Sequence, residues 1–460
     1  WFRQVSVFCQ NFKNKELIMA KKNRREFLKS AAAVGTIASL GPFANASLAA
    51  GFNYRQFAGE TIFVSWSKHP ITDATIAFHD EFTELTGINV EYEIVPEQQH
   101  RQKNVIQMSA GSSAVDAWES PGFEKPLFAN AGWYHTINND LHDPTLTFPD
   151  FDYEDFGAGA RKMATADDGS VVGFVNMLPT ILMAYRKDLV DAKGLKLNTL
   201  DDLAAAAEAL HDPPNMYGWV NRGLKNANMS TFSTIIYNFG GRYLDENGNL
   251  EMTSPQVIKA VEYYARLCRE FGPPGITGFN WYEAKTMFLQ GQGGIWIDGS
   301  DLIATADNPK ESKIAGKVDY MIVPEGPGGR FAPGAFLTMS VNKFSRKKGA
   351  AYLYCQWSVN KKNQVRALNV GAPAARASAW KNPAFLNKTT LPPNWIKAAS
   401  EAPQKARFYM PWFGIVTEFR DVFGQALTEA IEGGDALELF EKATEEFQPT
   451  LKGWYEELKG

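Results

Sequence analysis

The strongest constraint on the fold is a regular alternation of strand and helix patterns in the first part of the chain. The order is strand, helix, strand, helix, strand, at Thr61–Trp66, Asp73–Gly87, Asn89–Ile94, Gln98–Ala110 and Val115–Trp118. The strands are apolar or alternate with a period of two, and the first helix has a capping Asp and a terminal Gly. Because strands joined by helices lie parallel with right-handed crossovers, this order predicts a doubly wound sheet.

The rest of the chain continues the same mixture of elements. Further strands are predicted at Val171–Val175, Ile181–Tyr185, Ile295–Asp298, Val318–Val323 and Leu337–Val341. A helix that begins at Pro255 places one apolar stripe at Val257, Val261, Tyr264, Cys268 and Phe271. The length of 460 residues is about three times that of a usual single domain. Two α/β lobes, with the chain crossing between them, fit this order better than a single barrel.

Composition and motifs exclude several classes of protein. Hydrophobic residues make up 45% and charged residues 21% of the chain, which is typical of a globular protein. Outside the N-terminal region no apolar run approaches the roughly 20 residues that span a bilayer. The net charge of −4, without a basic tract in the body of the chain, argues against a nucleic-acid partner. His135 and His142 lack a third ligand and Gly326–Arg330 is a turn, so no metal or cofactor is expected.

The N-terminal 50 residues have the features of an export signal. Met19 is the first methionine, and we expect residues 1–18 to be an upstream extension that is not translated. A basic stretch and a weakly apolar run from Ala31 to Phe43 predict a signal peptide over residues 19–50. Within it, Asn23–Lys29 (NRREFLK) is similar to the twin-arginine export motif and predicts a periplasmic protein. The alternative is a basic tail that precedes a small helix.

Several strings in residues 51–460 resemble segments of one family in order and spacing. They are Gly169–Val190 (GSVVGFVNMLPTILMAYRKDLV), Met287–Asp298 (MFLQGQGGIWID), Val318–Gly329 (VDYMIVPEGPGG), Ala350–Ser358 and Gly371–Arg376 (GAPAAR). Together they resemble the extracellular solute-binding proteins of carbohydrate ABC importers, which include the maltose, polyol and glucoside receptors. The resemblance covers nearly all of the chain after residue 50.

The resemblance implies a type II periplasmic-binding-protein fold, in which each lobe is a doubly wound sheet flanked by helices and hinge crossovers join the lobes. Residues 51–170 and 318–372 would form the N-lobe, and residues 171–317 and 373–460 the C-lobe. The implied function is capture of a sugar, glycoside or polyol by a monomer that delivers it to ABC transporter permease subunits. Ligand would favour closure, because only the closed form completes both halves of the site.

Candidate ligand contacts follow from the positions of aromatic and polar residues. Sugars present apolar C–H faces and hydroxyl edges, so their sites need aromatic rings together with side chains that donate and accept in pairs. In open α/β sheets, ligands bind outside the carboxyl ends of the strands. Strand ends and loops flanked by Gly or Pro give the candidates Trp66, Trp118, Glu119, Asn176, Trp219, Arg222, Trp281, Tyr282, Trp296, Asp298, Phe336, Arg376 and Trp412.

Each candidate also has a purely structural interpretation. A tryptophan on a strand is more often part of the core than a ligand platform. Asp298 could cap the following helix, and Arg376 could form an ion pair between the lobes. We therefore expect about half of the candidates to contact ligand.

Two other functions stay open at the level of sequence. Glu119 and Asp298 could form the carboxylate pair of an exported glycoside hydrolase or lyase, although no flanking motif supports that chemistry. A two-lobed receptor could also bind a non-sugar solute such as an amino compound, a peptide or an organic acid. The 13% of aromatic residues favours sugars over small charged solutes.

Overall fold

The fold is given by a computed structural model, which describes residues 52–458. The predicted upstream extension and signal peptide, residues 1–18 and 19–50, lie outside the described residues. The strands are β1 (Thr61–Ser67), β2 (Asn89–Val95), β3 (Ala117–Pro121), β4 (Phe174–Met177), β5 (Ile181–Arg186), β6 (Tyr217–Trp219), β7 (Gly293–Gly299), β8 (Val318–Met321) and β9 (Leu337–Val341).

Helices of very different length connect and cover the strands. Those before β7 span Pro70–Ile76, His79–Thr86, Glu97–Ser109, Lys125–Asn130, Asn138–His142, Gly157–Met163, Lys187–Ala192, Leu200–Ala209, Asn228–Asn238, Pro255–Phe271 and Trp281–Leu289. Those after β7 span Ser300–Ile303, Lys348–Ser358, Lys361–Asn369, Ala377–Trp380, Pro383–Leu386, Pro393–Glu401, Val416–Ile431 and Ala436–Glu457. Among the described residues, no helix combines the length and the apolar character that crossing a bilayer requires.

The strands form two separate sheets, and we call the elements around each sheet the first and the second lobe. The first sheet has the order β2-β1-β3-β9-β4, and the second has the order β6-β7-β5-β8. β1 lies parallel to β2 and β3, which confirms the doubly wound arrangement predicted from the alternation of strands and helices. β9 runs antiparallel between β3 and β4, and in the second sheet β7 is parallel to β6 and antiparallel to β5.

The chain passes between the sheets at positions that differ from the predicted lobe boundaries. β4 belongs to the first sheet and β5 to the second, so the chain crosses within residues 178–180. β8 pairs with β5 in the second sheet, with Arg186 opposite Val318, although residues 318–372 were assigned to the first lobe. The return to the first sheet comes with β9 at Leu337–Val341. Strand pairing corrects the predicted lobe boundaries near residues 171 and 318, and the remaining boundaries stay a prediction.

Local sequence signals account for most of the elements. Thr199 and Asp202 form the predicted capping box of the helix Leu200–Ala209. The single helix predicted after Asp73 is instead two, Pro70–Ile76 and His79–Thr86. The strand β6 was not predicted, because three residues are too short for a periodic pattern.

Each lobe has its own hydrophobic core. In the first lobe, Trp66, Phe174 and Met339 belong to one buried cluster. In the second lobe, Trp219 and Trp296 lie in two clusters on opposite faces of the sheet. Cys268 and Cys355 are buried free thiols in the second and first lobe respectively.

Candidate functional site

A cleft with a volume of about 90 Å³ lies between the two sheets, where strands from both of them end. Ser67, Pro121 and Asp298 line it from the carboxyl ends of β1, β3 and β7, as the strand-end rule predicts. Its charged or ionisable lining residues include His69, Glu97, Arg101, Arg222, Asp298 and Asp301, and its rings include Phe123, Trp281 and Tyr409. The cleft therefore combines aromatic faces with a dense set of donors and acceptors.

On the second lobe, Arg222 and Asp298 form a buried bidentate pair. Arg222 Nε donates to Asp298 Oδ2 at 2.9 Å, and Nη2 donates to Oδ1. The Gly299 N–H also donates to Asp298 Oδ1, at 2.7 Å. Burial alone would lower the pKa of Arg222, but the charge of Asp298 and its hydrogen bonds raise the pKa overall. Arg222 is therefore a fixed, charged donor at the wall of the cleft.

On the first lobe, Arg101 and Glu97 form a second pair, one turn apart on the helix Glu97–Ser109. Arg101 Nη1 donates to Glu97 Oε1 at 3.0 Å, and Nη2 donates to Asn226 Oδ1 of the second lobe at 3.4 Å. Burial would raise the pKa of Glu97, but the charges of Arg101, Arg222 and Arg420 lower it overall. Glu97 is therefore an ionised acceptor in the cleft.

A third pair, His69 with Asp301, connects the two lobes. His69 follows β1, and its Nε2 lies 3.1 Å from Oδ2 of Asp301, in the helix that follows β7. Burial raises the pKa of Asp301, and His69 opposes that shift. The His69 Nδ1 atom is buried and has no hydrogen-bond partner in the protein.

The positive and negative groups of the lining match one another. Arg101 and Arg222 each contact a different carboxylate, Glu97 and Asp298 respectively. The imidazole of His69 lies beside a third carboxyl group, that of Asp301. The other histidine of the lining, His100, has its pKa lowered to about 4 by burial, so its ring is neutral at pH 7. The cleft thus offers directional donors and acceptors, and each arginine of the lining is paired with a carboxylate.

Glu119 and Asn176 lie beneath the lining rather than in it. Ser67, which does line the cleft, donates its hydroxyl to Glu119 Oε2, and Asn176 Nδ2 donates to Glu119 Oε1 at 3.1 Å. Burial raises the pKa of Glu119, while the charge of His69 and these hydrogen bonds oppose that shift. The two residues therefore support the cleft from below.

A second layer of charge lies behind Phe123. The guanidinium groups of Arg101 and Arg420 lie 5.2 and 5.0 Å from the centre of its ring. Glu124 Oε1 is 3.9 Å from Arg101 Nε. Burial raises the pKa of Glu124 to about 7, against the opposing charges of Arg101 and Arg420. This carboxyl group therefore titrates near neutral pH at the contact between the lobes.

Four of the predicted tryptophans lie in the core. Trp66, Trp118, Trp219 and Trp296 are each 0% exposed, and none of them lines the cleft. Trp66 Nε1 donates to the Tyr354 hydroxyl at 3.2 Å, and Trp118 stacks on Tyr134 at 5.3 Å. Their strands are covered on both faces, so large rings from either face become buried.

The other predicted residues are distributed among several places. Arg222, Trp281 and Asp298 line the cleft. Phe336 is buried, and Arg376 is enclosed in the first lobe, where it contacts Asp155. Two further rings lie outside the cleft. Tyr282 is 54% exposed in a neighbouring pocket, and Trp412 borders another cavity, with Lys125 Nζ 4.5 Å from its ring centre.

Several lining residues were missed from sequence although a usable signal exists. His69 and Glu97 each stand two residues after a strand, at the carboxyl ends of β1 and β2. The strand-end rule covers such polar residues, but the predicted candidates include only residues at the ends of the strand patterns or directly after them, such as Glu119, Asn176 and Asp298. Tyr409 lies outside any strand or helix, and no sequence pattern marks it. Among the described residues, no group of three or more potential ligands could hold a metal ion.

Known proteins of similar sequence and structure are solute receptors. An erythritol/L-threitol-binding protein of Mycolicibacterium smegmatis is 26% identical over 347 residues, which cover 70% of this chain and 71% of that protein. A probable amino-acid ABC transporter periplasmic-binding protein of Sinorhizobium fredii is 24% identical over 376 residues, 79% of this chain and 84% of that protein.

The fold agrees with solved structures of such receptors. An ABC transporter solute-binding protein of Agrobacterium radiobacter K84, in complex with ribitol, superposes with a TM-score of 0.77 at 22% identity, covering 85% of this chain and 98% of that one. The family model for bacterial extracellular solute-binding proteins matches residues 68–365. This chain therefore belongs to the bacterial extracellular solute-binding protein family, and has its two-lobed fold.

Proposed function

We propose that this protein is the substrate-binding component of an ABC importer and that it captures a small, neutral, hydroxylated solute in the cleft. The observation that carries the proposal is the matching of charges in the lining. Arg222 with Asp298 and Arg101 with Glu97 present fixed donors and acceptors whose charges cancel. Such pairs suit hydroxyl groups, which donate and accept at once, whereas an ionic solute needs an unpaired counter-charge.

The size of the cleft supports a short ligand. A volume of about 90 Å³ holds roughly six to nine water-sized positions. That space corresponds to an acyclic polyol of about four to six carbons, or to a single sugar ring. Trp281 and Phe123 supply apolar faces for its C–H groups. The polyols named for the relatives belong to the same size class.

The proposed action is closure of the two lobes on the ligand. The lining comes from both lobes, so only the closed arrangement brings all of its groups to the ligand. Closed protein would then deliver the solute to the permease subunits.

We expect a periplasmic monomer that is exported by the twin-arginine signal. Replacement of Arg24 and Arg25 by lysine should therefore abolish export.

We further propose that binding occurs without catalysis. A glycoside-cleaving pair needs two carboxyl groups that both reach the ligand. Asp298 lines the cleft but is held by Arg222, and Glu119 lies beneath the lining, held by Ser67 and Asn176. Steady release of product from aryl glycosides would contradict this part of the proposal.

A thermal-shift and calorimetry screen of the exported protein tests the proposed ligand class. Polyols of about four to six carbons and monosaccharides form one arm, and amino acids and organic acids form the other. A ligand at about 100 times its Kd adds about 2.7 kcal/mol to the free energy of unfolding, so binding gives a clear rise in Tm. If only amino acids or organic acids raise the Tm, the proposal of a neutral solute is wrong. An amino-acid ligand, as in the name of the Sinorhizobium relative, would then be favoured.

A further inference from the structure

The cleft is adjoined by a second and larger compartment. This outer compartment has a volume of about 960 Å³, compared with about 90 Å³ for the cleft. His69 and Trp281 line both compartments. The two spaces are therefore neighbours, and these two side chains stand between them.

The partition is built from both lobes. His69, from the first lobe, reaches across to Asp301 of the second lobe, with Nε2 3.1 Å from Oδ2. Trp281 begins the helix Trp281–Leu289, and the side chain of Asn280 fixes that start by accepting from the Trp281 N–H at 2.8 Å. An imidazole that contacts a buried carboxyl group therefore stands beside a positioned indole ring where the two compartments adjoin.

The outer compartment has the chemistry of a second site for a hydroxylated unit. Tyr282 exposes 54% of its surface there, and Lys68 Nζ lies 5.7 Å from its ring centre. Asp73 and Asn308 add an acid and an amide to the same lining. An exposed ring with polar neighbours is the combination that stacks on a sugar face and binds its hydroxyl groups.

We infer that the His69–Asp301 contact, together with Trp281, determines specificity by limiting the length of the ligand. With the partition in place, the site accepts a solute that fits the cleft alone. Without it, the two compartments join, and a ligand with a second hydroxylated unit reaches Tyr282. This inference rests on the proposed function, because it concerns the size of the same neutral solute.

The test is isothermal calorimetry on the exported protein with erythritol, ribitol and mannitol as short probes and maltitol as the long probe. Wild-type protein should bind its best short polyol at least about 100-fold more tightly than maltitol. His69→Ala should reduce that ratio at least tenfold by gaining affinity for maltitol. His69→Gln is the matched control, since it keeps a polar side chain of similar length opposite Asp301 and should keep the wild-type ratio. Adding Tyr282→Ala to His69→Ala should remove the gain.

Each outcome decides either the inference or the proposed function. An unchanged ratio in a folded His69→Ala protein would overturn the partition. Equal loss of short and long probes in both His69 variants would also overturn it, because His69 would then be a ligand contact. If His69→Ala does not fold, Trp281→Ala opens the same partition from the other side. It should also lower the ratio of short-probe to long-probe affinity, since it removes a ring that contacts the short probes. Wild-type protein that binds neither a polyol nor a monosaccharide would refute the proposed function, and this inference with it.

Discussion

The cleft and the core of the first lobe each contain a buried arginine paired with a carboxylate, and the two arginines have different surroundings. Arg222 contacts Asp298 at the wall of the cleft. Arg376 is 0% exposed, with its guanidinium 4.7 and 4.1 Å from the ring centres of Phe151 and Phe156. It donates to the Val359 carbonyl at 2.7 Å and contacts Asp155 at 3.4 Å.

This difference shows that residue types alone do not reveal whether an arginine–carboxylate pair binds ligand or stabilises the core. Both arginines are predicted ligand contacts, Arg222 from its place in a loop flanked by Gly and Arg376 from its place in the family-like string Gly371–Arg376. The protein itself covers both faces of Arg376, so a solute has no access to it. Arg222 keeps one side towards the cleft while Asp298 holds its orientation. Access to open space, rather than residue type, separates a binding arginine from a structural one.

The largest effect is expected when Arg376 is removed. Arg376→Ala removes a fully buried guanidinium and leaves the half-buried Asp155 without its cation, which should lower the free energy of unfolding by about 3–5 kcal/mol. Urea denaturation measures that loss, and calorimetry should find an unchanged Kd for the best polyol. Lys361→Ala, which removes only the exposed ion pair with Asp152, is the control and should cost at most about 1 kcal/mol. If the Arg376→Ala protein is as stable as wild type but binds the polyol more weakly, Arg376 is a ligand contact rather than a structural residue.

The next effect concerns the cleft arginine. Arg222→Lys keeps a positive charge beside Asp298 but loses the bidentate geometry, so affinity for the polyol should fall about 10- to 100-fold. Calorimetry measures the change, with the exposed Arg242→Lys as control. An affinity within twofold of wild type would remove Arg222 from the proposed site.

A pH-dependent effect is expected from Glu124, which lies near Arg101 of its own lobe and Arg420 of the second lobe, with Glu97 and Glu418 also nearby. Because its pKa in the folded protein is raised to about 7 by burial, the folded state binds a proton that the unfolded state has already released. Stability from this group is therefore present below its ordinary pKa and is lost as pH rises through about 7. Glu124→Gln should remove the loss, which is on the order of 2 kcal/mol.

Thermal unfolding of wild type and Glu124→Gln at pH 5 and pH 8 measures this difference. The wild-type Tm should fall more between the two values than the variant Tm does. Glu91→Gln, at an exposed position on β2, should follow wild type. Parallel pH curves for wild type and Glu124→Gln would show that Glu124 has an ordinary pKa in the folded state.

The smallest effect separates a core tryptophan from a cleft tryptophan. Trp118→Phe reduces the ring that stacks on Tyr134, so the free energy of unfolding should fall by about 1–2 kcal/mol with an unchanged Kd. Trp281→Phe should instead weaken binding and leave the free energy of unfolding within about 1 kcal/mol. A loss of affinity in Trp118→Phe would contradict its placement in the core.

Much of the fold was predictable because local patterns and global topology agree. The parallel relation of β1, β2 and β3 followed from strands that alternate with helices. The prediction that Val318–Met321 belongs to the first lobe was wrong, because the sequence of a single strand does not indicate which sheet it joins. Its place is decided by the antiparallel pairing with β5, a contact between residues far apart in sequence.

The site was less predictable than the fold. Trp296 and Asp298 lie two residues apart on β7 and so share a face of the sheet, but only Asp298, nearer to the carboxyl end, reaches the cleft, while Trp296 belongs to the core. The strand-end rule does not say how close to the end of a strand a side chain must lie to reach the ligand. Pairing across the lobes, as in His69 with Asp301, depends on how two separate sheets meet. Tyr409 lines the cleft from a loop that no periodic pattern describes.

The position of β9 has a consequence for biosynthesis. β9 lies between β3 and β4 in the first sheet, yet the chain completes the whole second sheet before it reaches Leu337. While the protein emerges from the ribosome, β3 and β4 therefore have unpaired edges, with N–H and C=O groups that favour aggregation. The sheet that begins first is completed last, so a chain that stops before β9 leaves the first sheet in two parts.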